Sequence, residues 1–139
     1  MIKIKGEKGM KITGNNILKY GNILKEYVNN KMPTKVALSI AYNAMILEPL
    51  FKIVEQARVN VLNEYGKRDS DNNLIINHST NTVEIAPENV DIVNRKVGEI
   101  FSEEFECKDF KKVALDDFLL INEIKPNDVI KLEFMINDD

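Results

Sequence analysis

From Met32 to Asn73 the chain reads MPTKVALSIAYNAMILEPLFKIVEQARVNVLNEYGKRDSDNN, and this stretch constrains the fold more than any other. Val36, Ile40, Ala44, Leu47, Phe51, Val54, Val61 and Tyr65 recur at steps of three, four or seven, so their side chains share one face of a helix. Pro33 suits the first helical turn, where its missing N–H would be unpaired anyway, and Thr34 is an alternative cap. Pro49 is the irregularity. An interior proline removes the bond to the carbonyl four residues earlier and clashes with it, at a cost of about 3 kcal/mol. A kink near Met45 to Glu48, or two helices in near-continuation, is therefore expected. Gly66 is expected to close the helix as a residue of positive φ, and the charged turn KRDSDNN follows. The whole block reads as scaffold and interaction surface, with nothing resembling a catalytic site.

The flanking sequence supplies elements that pack against such a scaffold. Ile2, Ile4, Met10 and Ile12 alternate with lysines around Gly6 and Gly9, the pattern of one or two short strands. Thr13 and the pair Asn15-Asn16 offer capping oxygens for a helix carrying Ile17, Leu18, Leu24, Tyr27 and Val28 as far as Asn30. Leu74 to Ile76 and Thr82 to Ile85 flank His78-Ser79-Thr80-Asn81 and read as a β-hairpin. Pro87 then opens a helix whose apolar face holds Val90, Val93, Val97, Ile100, Phe101 and Phe105, with Glu88 complementing the dipole in its first turn. Alternation from Glu104 to Val113 suggests a strand. Asp116-Asp117 are placed to cap a turn through Phe118 to Ile121, and Pro126 with Asp128 open a last helix holding Val129, Leu132, Met135 and Ile136. The expected fold is one helix-dominated α+β domain over residues 1–139. Its long helix pairs with the Pro87 helix across the hairpin, and short N- and C-terminal elements complete it.

Composition narrows the function classes. The chain has 139 residues, 44% of them hydrophobic and 29% charged, the balance of one folded soluble domain. A net charge of −3 supplies no basic field for tracking a nucleic-acid backbone, so no nucleic-acid partner is expected. The single cysteine, Cys107, excludes an intrachain disulfide and fits a reducing cytosol. No apolar run approaches the ~18 residues of a membrane span, and MIKIKGEKGMKI lacks a signal peptide's apolar centre. A cytoplasmic protein without membrane attachment is expected.

Candidate chemistry is thin. His78, the only histidine, would have to serve any Ser-His-Asp or Cys-His arrangement, yet it lies in a turn whose polar residues are there for turn reasons. Cys107 shares strand parity with Phe105 and reads as a buried small hydrophobe. Glu104, Glu106 and Asp109 would raise its thiol pKa, opposite to what a nucleophile needs. Asp69, Asp71 and Asn73 have the spacing that opens a calcium loop. Leu74 stands where the loop needs glycine and Thr80 where it needs glutamate, so no metal or other cofactor is expected. Tyr20, Tyr27, Tyr42 and Tyr65 read as core edges. Glu99, Glu103, Glu104 and Glu106 gather at the end of the Pro87 helix, where carboxylates oppose the dipole. These four are the candidate surface for a basic protein partner. No glycine-rich phosphate loop, CxxC pair or HExxH is present, and a non-enzymatic role is expected.

The segments ITGNNILKYGNILKEYVNNKMPTKVALSIAYN, EQARVNVLNEYGKRDSDNN, IAPENVDIVNRKVGEIFSEEFE and KLEFMI, in this order and spacing, resemble a family of short phage and prophage proteins of clostridia and related low-GC Gram-positive bacteria. The resemblance covers most of the chain from about Ile12 onward. Two departures stand out: an unbroken helix would be typical through Glu48-Pro49, and a glycine-containing turn at Asp71-Asn72-Asn73. The family has no established activity to carry over. The resemblance implies a phage setting in a bacterial cytoplasm and action by stoichiometric binding to a host or phage protein, such as a component of host defence. Alternatives are a virion structural or tail or head assembly component, with the long helix offering a surface for helix-pair oligomers, and a metal-dependent enzyme using Asp69, Asp71 or His78.

Overall fold

The computed structural model describes residues 9–121 and 124–137; the expected strand residues Ile2 and Ile4 and the turn at Gly6 lie outside them. Strand β1 (Gly9–Thr13) runs directly into helix α1 (Gly14–Tyr27). Thr13 makes the transition, because its extended backbone and its Oγ1, accepting from Asn16 N at 3.3 Å, satisfy one of the unpaired N–H groups of the first turn. Ile17, Leu24 and Tyr27 face the core, while Val28 falls beyond the last turn and is exposed.

Helix α2 (Thr34–Tyr65) runs uninterrupted through Pro49, so the two-helix alternative is not adopted. The reason lies in where Pro49 points. Proline leaves the Met45 carbonyl without its helical donor, and Met45 and Pro49 both lie on the solvent side, where water can replace the lost bond. The opposite side buries Val36, Ile40, Leu47, Val54 and Val61, as the periodicity requires. α2 packs most extensively along α1 and next along α3 (Val90–Ser102), which is entered through a 3₁₀ turn at Pro87–Asn89. The expected pairing of the long helix with the Pro87 helix is present, joined by α1 as a larger partner.

Gly66 is corrected: its φ is −68° with ψ 146°, ordinary extended backbone rather than a left-handed cap. A Cβ there would lie 2.6 Å from the Leu62 carbonyl oxygen, 2.6 Å from Leu74 Cδ2 and 2.8 Å from Val83 Cγ1. Glycine is needed for close approach. The chain leaving α2 is itself extended, and Lys67 N donates to Glu84 O while Ile75 N donates to Lys67 O. The hairpin β2 (Ile76–Asn77) and β3 (Thr82–Val83) thus gains a third extended segment, with bridges Gly66 to Ile85 and Arg68 to Leu74. Asn81, at φ 54°, and Asn72, at φ 65°, supply the positive-φ corners.

Strand β4 (Glu104–Lys108) pairs antiparallel with β1, Thr13 opposite Glu104 and Gly9 opposite Lys108. The expected strand is therefore real but shorter, ending before Phe110. β5 (Val113–Ala114) leads into α4 (Leu115–Leu119), which starts three residues before Phe118 and holds Asp116 and Asp117 inside its first turn, not at its cap. The last helix is also corrected. α5 (Pro126–Lys131) ends early, Glu133–Met135 is a 3₁₀ turn, and β6 (Ile136–Asn137) pairs parallel with β5. That strand pairing takes the backbone groups a longer helix would have used. One core results, joining Ile12, Ile17, Leu24, Val36, Ile40, Leu47, Phe118, Leu132 and Met135. The architecture is a helix-dominated α+β domain.

Candidate functional site

Helix α3 lies across the C-terminal half of α2, and β4 begins just after its end, so a groove opens between the three. Its walls are apolar: Ile53, Val54, Ala57 and Val61 from α2, Ile100 from α3 and Phe105 from β4. The cavity measures about 420 Å³. Glu99, in the last turn of α3, and Glu103, at its C-cap, are exposed on the rim, with Lys96 one turn earlier. Lys96 Nζ lies 5.3 Å from the centre of the Tyr65 ring, which draws this cation toward α2. The end of α3 is anchored by Gly14 N donating to Glu103 O at 2.9 Å. A Cβ on Gly14 would sit 2.3 Å from the Ile100 carbonyl oxygen, so the start of α1 fixes the rim by backbone contact.

The four glutamates of the candidate surface do not share one place. Glu99 and Glu103 border the groove, whereas Glu104 and Glu106 project from β4 away from Phe105 and Cys107. Glu106 faces Lys11 across the ladder, so a lysine shares its face of the β1–β4 ribbon. Glu104 faces Thr13. The acidic, apolar-floored site is thus built on two of the four residues.

The other candidates are placed by ordinary structural work. Asp69 Oδ1 accepts from Asp71 N at 2.9 Å and Asn73 N at 3.0 Å, so its carboxylate closes the turn after α2. His78 is exposed at the hairpin tip, where Asn77 Oδ1 accepts from Ser79 N and Thr80 N. Among the described residues no group of three or more His, Cys, Asp or Glu is arranged to hold a metal ion. Cys107 is half-buried beside Phe105, and burial first, then the charge of Asp109, pushes its thiol pKa up. Tyr20 stacks on Phe134, with ring centres 4.2 Å apart, and meets the edge of Phe110. Tyr27 is buried and donates its hydroxyl to Asp128.

The periodicity of α2 did not single out its second apolar face. Leu38, Tyr42, Met45 and Ile53 are exposed, on the side away from the core. α2 contains an apolar stretch of 18 residues, of which only 22% is buried. By length and composition alone it could cross a membrane, a test that core helices of soluble proteins also pass. The spacing of Leu38, Tyr42, Met45 and Ile53 was the signal in the sequence that marks this face. Comparison with known proteins yields no matching family model, no matching curated protein and no matching solved structure.

Proposed function

We propose that this protein acts by stoichiometric binding to another protein, as a phage-encoded accessory factor in the cytoplasm of a bacterial host, with a host defence component as its target. The observation that carries this reading is the α2–α3 groove, an apolar trough rimmed by Glu99 and Glu103. Such a trough suits an amphipathic segment that buries apolar side chains and sets lysines or arginines against the two carboxylates. The resemblance to short phage proteins supplies the setting. The exposed face of α2 favours a second reading, a virion structural or assembly component, since assembly proteins pack through such faces.

The test is capture from lysates of several low-GC Gram-positive hosts, comparing the wild type with the double variant Glu99→Lys, Glu103→Lys. The expected result is one host protein retained near 1:1 by the wild type and weakened at least tenfold, or ~1.4 kcal/mol, by the variant. Both substitutions are on exposed positions, so the urea unfolding curve should be unchanged. Absence of a common host partner across the panel, or capture indifferent to the charge reversal, overturns the reading. Detection of the protein in purified particles would select the assembly reading instead.

A further inference from the structure

We infer that the free edge of β4 takes up an extended segment of a partner protein, which adds to the β1–β4 ribbon as an antiparallel third strand. The ladder shows which backbone groups receive it. Gly14 N donates to Glu103 O at 2.9 Å, in the same register that sets Thr13 opposite Glu104. Hydrogen-bonded and non-hydrogen-bonded pairs alternate along an antiparallel ladder. Ile12–Phe105 and Met10–Cys107 are therefore the bonded pairs, whereas the N–H and C=O groups of Glu104, Glu106 and Lys108 point away from β1. Among the described residues β1 is the only ladder partner of β4, and no loop or side chain bonds to that edge. Its register is unbroken and it holds no proline, so neither a bulge nor a missing donor closes it.

The edge borders an apolar trough. Phe105 lines the α2–α3 groove, and Glu106, Cys107 and Lys108 line a second groove of about 320 Å³ with Tyr42, Met45, Ile46 and Leu50 of α2. No residue of β1 lines either groove, so both lie on the β4 side of the ribbon. The lengths match. From Tyr42 to Ile53 α2 advances about 16 Å, and five added residues span about 17 Å. An added strand bonds through its main chain to β4 and sets alternate side chains against the apolar residues of α2.

Charge is sorted along the trough and fixes the chemistry of the segment. Glu103 and Glu104 stand at its α3 end, with Glu106 next along the strand. Lys108 stands at the other end, near Lys111, whose Nζ lies 5.3 Å from the centre of the Tyr42 ring. Lys11, opposite Glu106 on β1, is one strand further from the added chain. The segment that fits is apolar at every second position, with acidic residues first and lysines or arginines after them. Its bonds are to the β4 backbone, so it binds whether or not the α2–α3 groove has a partner of its own.

The probe is a capped ten-residue peptide that alternates valine with charged residues, glutamates in its first half and lysines in its second. Amide exchange of the full chain is followed by NMR. In the free chain Phe105 and Cys107 should exchange slowly, and Glu104, Glu106 and Lys108 quickly. Peptide at about 2 mM, ten times a Kd of ~0.2 mM, should slow those three amides about tenfold. A peptide N-methylated on the amides that face β4 keeps its side chains and should bind at least tenfold more weakly. The double variant Glu104→Lys, Glu106→Lys should weaken the parent peptide at least threefold. No slowing at that concentration, or equal binding of the methylated peptide, overturns the proposal. Binding lost in Glu99→Lys, Glu103→Lys but kept in Glu104→Lys, Glu106→Lys would place the peptide in the α2–α3 groove and overturn it too. So would slow exchange of the three amides in the free chain. If that protection vanishes on removal of residues 1–8, the chain's own first segment holds the edge; if it grows with protein concentration, a second copy does.

Discussion

Asn43 sits on the buried side of α2 with no exposed surface, a position periodicity would fill with an aliphatic residue. Its amide instead replaces a missing strand neighbour: Nδ2 donates to Lys111 O at 3.0 Å and Oδ1 accepts from Lys111 N at 2.7 Å. Both bonds go to the backbone of the loop between β4 and β5, which has no ladder partner at that point among the described residues. Buried backbone groups left unpaired cost about 1–3 kcal/mol each. Asn43→Ala removes both bonds and opens a small void, so a loss of about 2–4 kcal/mol is expected in urea unfolding. Asn43→Asp keeps the acceptor for Lys111 N but sets a carboxylate against Lys111 O, and should rescue little. An unchanged midpoint for Asn43→Ala would mean that water takes over both bonds. The residue was invisible as a core member because polar side chains are scored by type, while this one is buried by its partners.

The elements show the same division between local rule and packing. Gly98 lies inside a helical run and Gly66 at the end of one, and only Gly66 is needed. A Cβ on Gly98 meets nothing within 4 Å, in the middle of α3. Gly98→Ala should therefore stabilise by about 0.5–1 kcal/mol through reduced backbone entropy in the unfolded chain. Gly66→Ala puts a methyl into the Leu62 carbonyl and the Leu74 and Val83 side chains, and a loss of about 1–3 kcal/mol is expected. Paired thermal melts of the two variants should move in opposite directions; equal shifts would remove the close-approach account of Gly66. Pro49 makes a related point at helix scale. Its local penalty is real, but an exposed position lets water satisfy the Met45 carbonyl, so the rest of α2 holds one helix through it.

At the scale of the molecule, the Tyr27–Asp128 bond joins the Tyr20–Phe134 stack and the Lys131–Glu26 ion pair in tying the last elements to the first helix. Asp128 accepts the Lys125 backbone N–H at 3.0 Å, opening α5, and also accepts the Tyr27 hydroxyl from α1. The Tyr27 bond, then the Lys125 bond, holds the Asp128 carboxyl below its usual range. A carboxylate with a lowered folded-state pKa adds stability above its unfolded value of ~3.9, and that stability is lost as pH falls through the lowered one. Tyr27→Phe should cost about 1–2 kcal/mol at pH 7, and its deficit against the wild type should shrink in urea unfolding as pH falls below ~4. A deficit that stays constant with pH would assign Tyr27 to packing alone. Most of this architecture was legible in the chain: the Thr13 cap, the inner stripe of α2, the hairpin and the middle of the α3 face follow from periodicity and capping, which are local, whereas Phe105, expected on that face, lies in β4 and Val90 is exposed. The groove at Glu99 and Glu103 was half legible, since the acidic residues are in the sequence but their separation from Glu104 and Glu106 needs the turn from helix to strand. The sequence by itself determined a helix-dominated α+β domain around one long helix, because side-chain period and cap chemistry act within a few residues. Only the tertiary structure decided that α1 is the main partner of α2, that Gly66 serves close approach and that, among the described residues, Leu38, Tyr42, Met45 and Ile53 of α2 are left exposed. Those depend on which surfaces meet after the chain has folded back on itself, and apolar character alone does not record which face is covered.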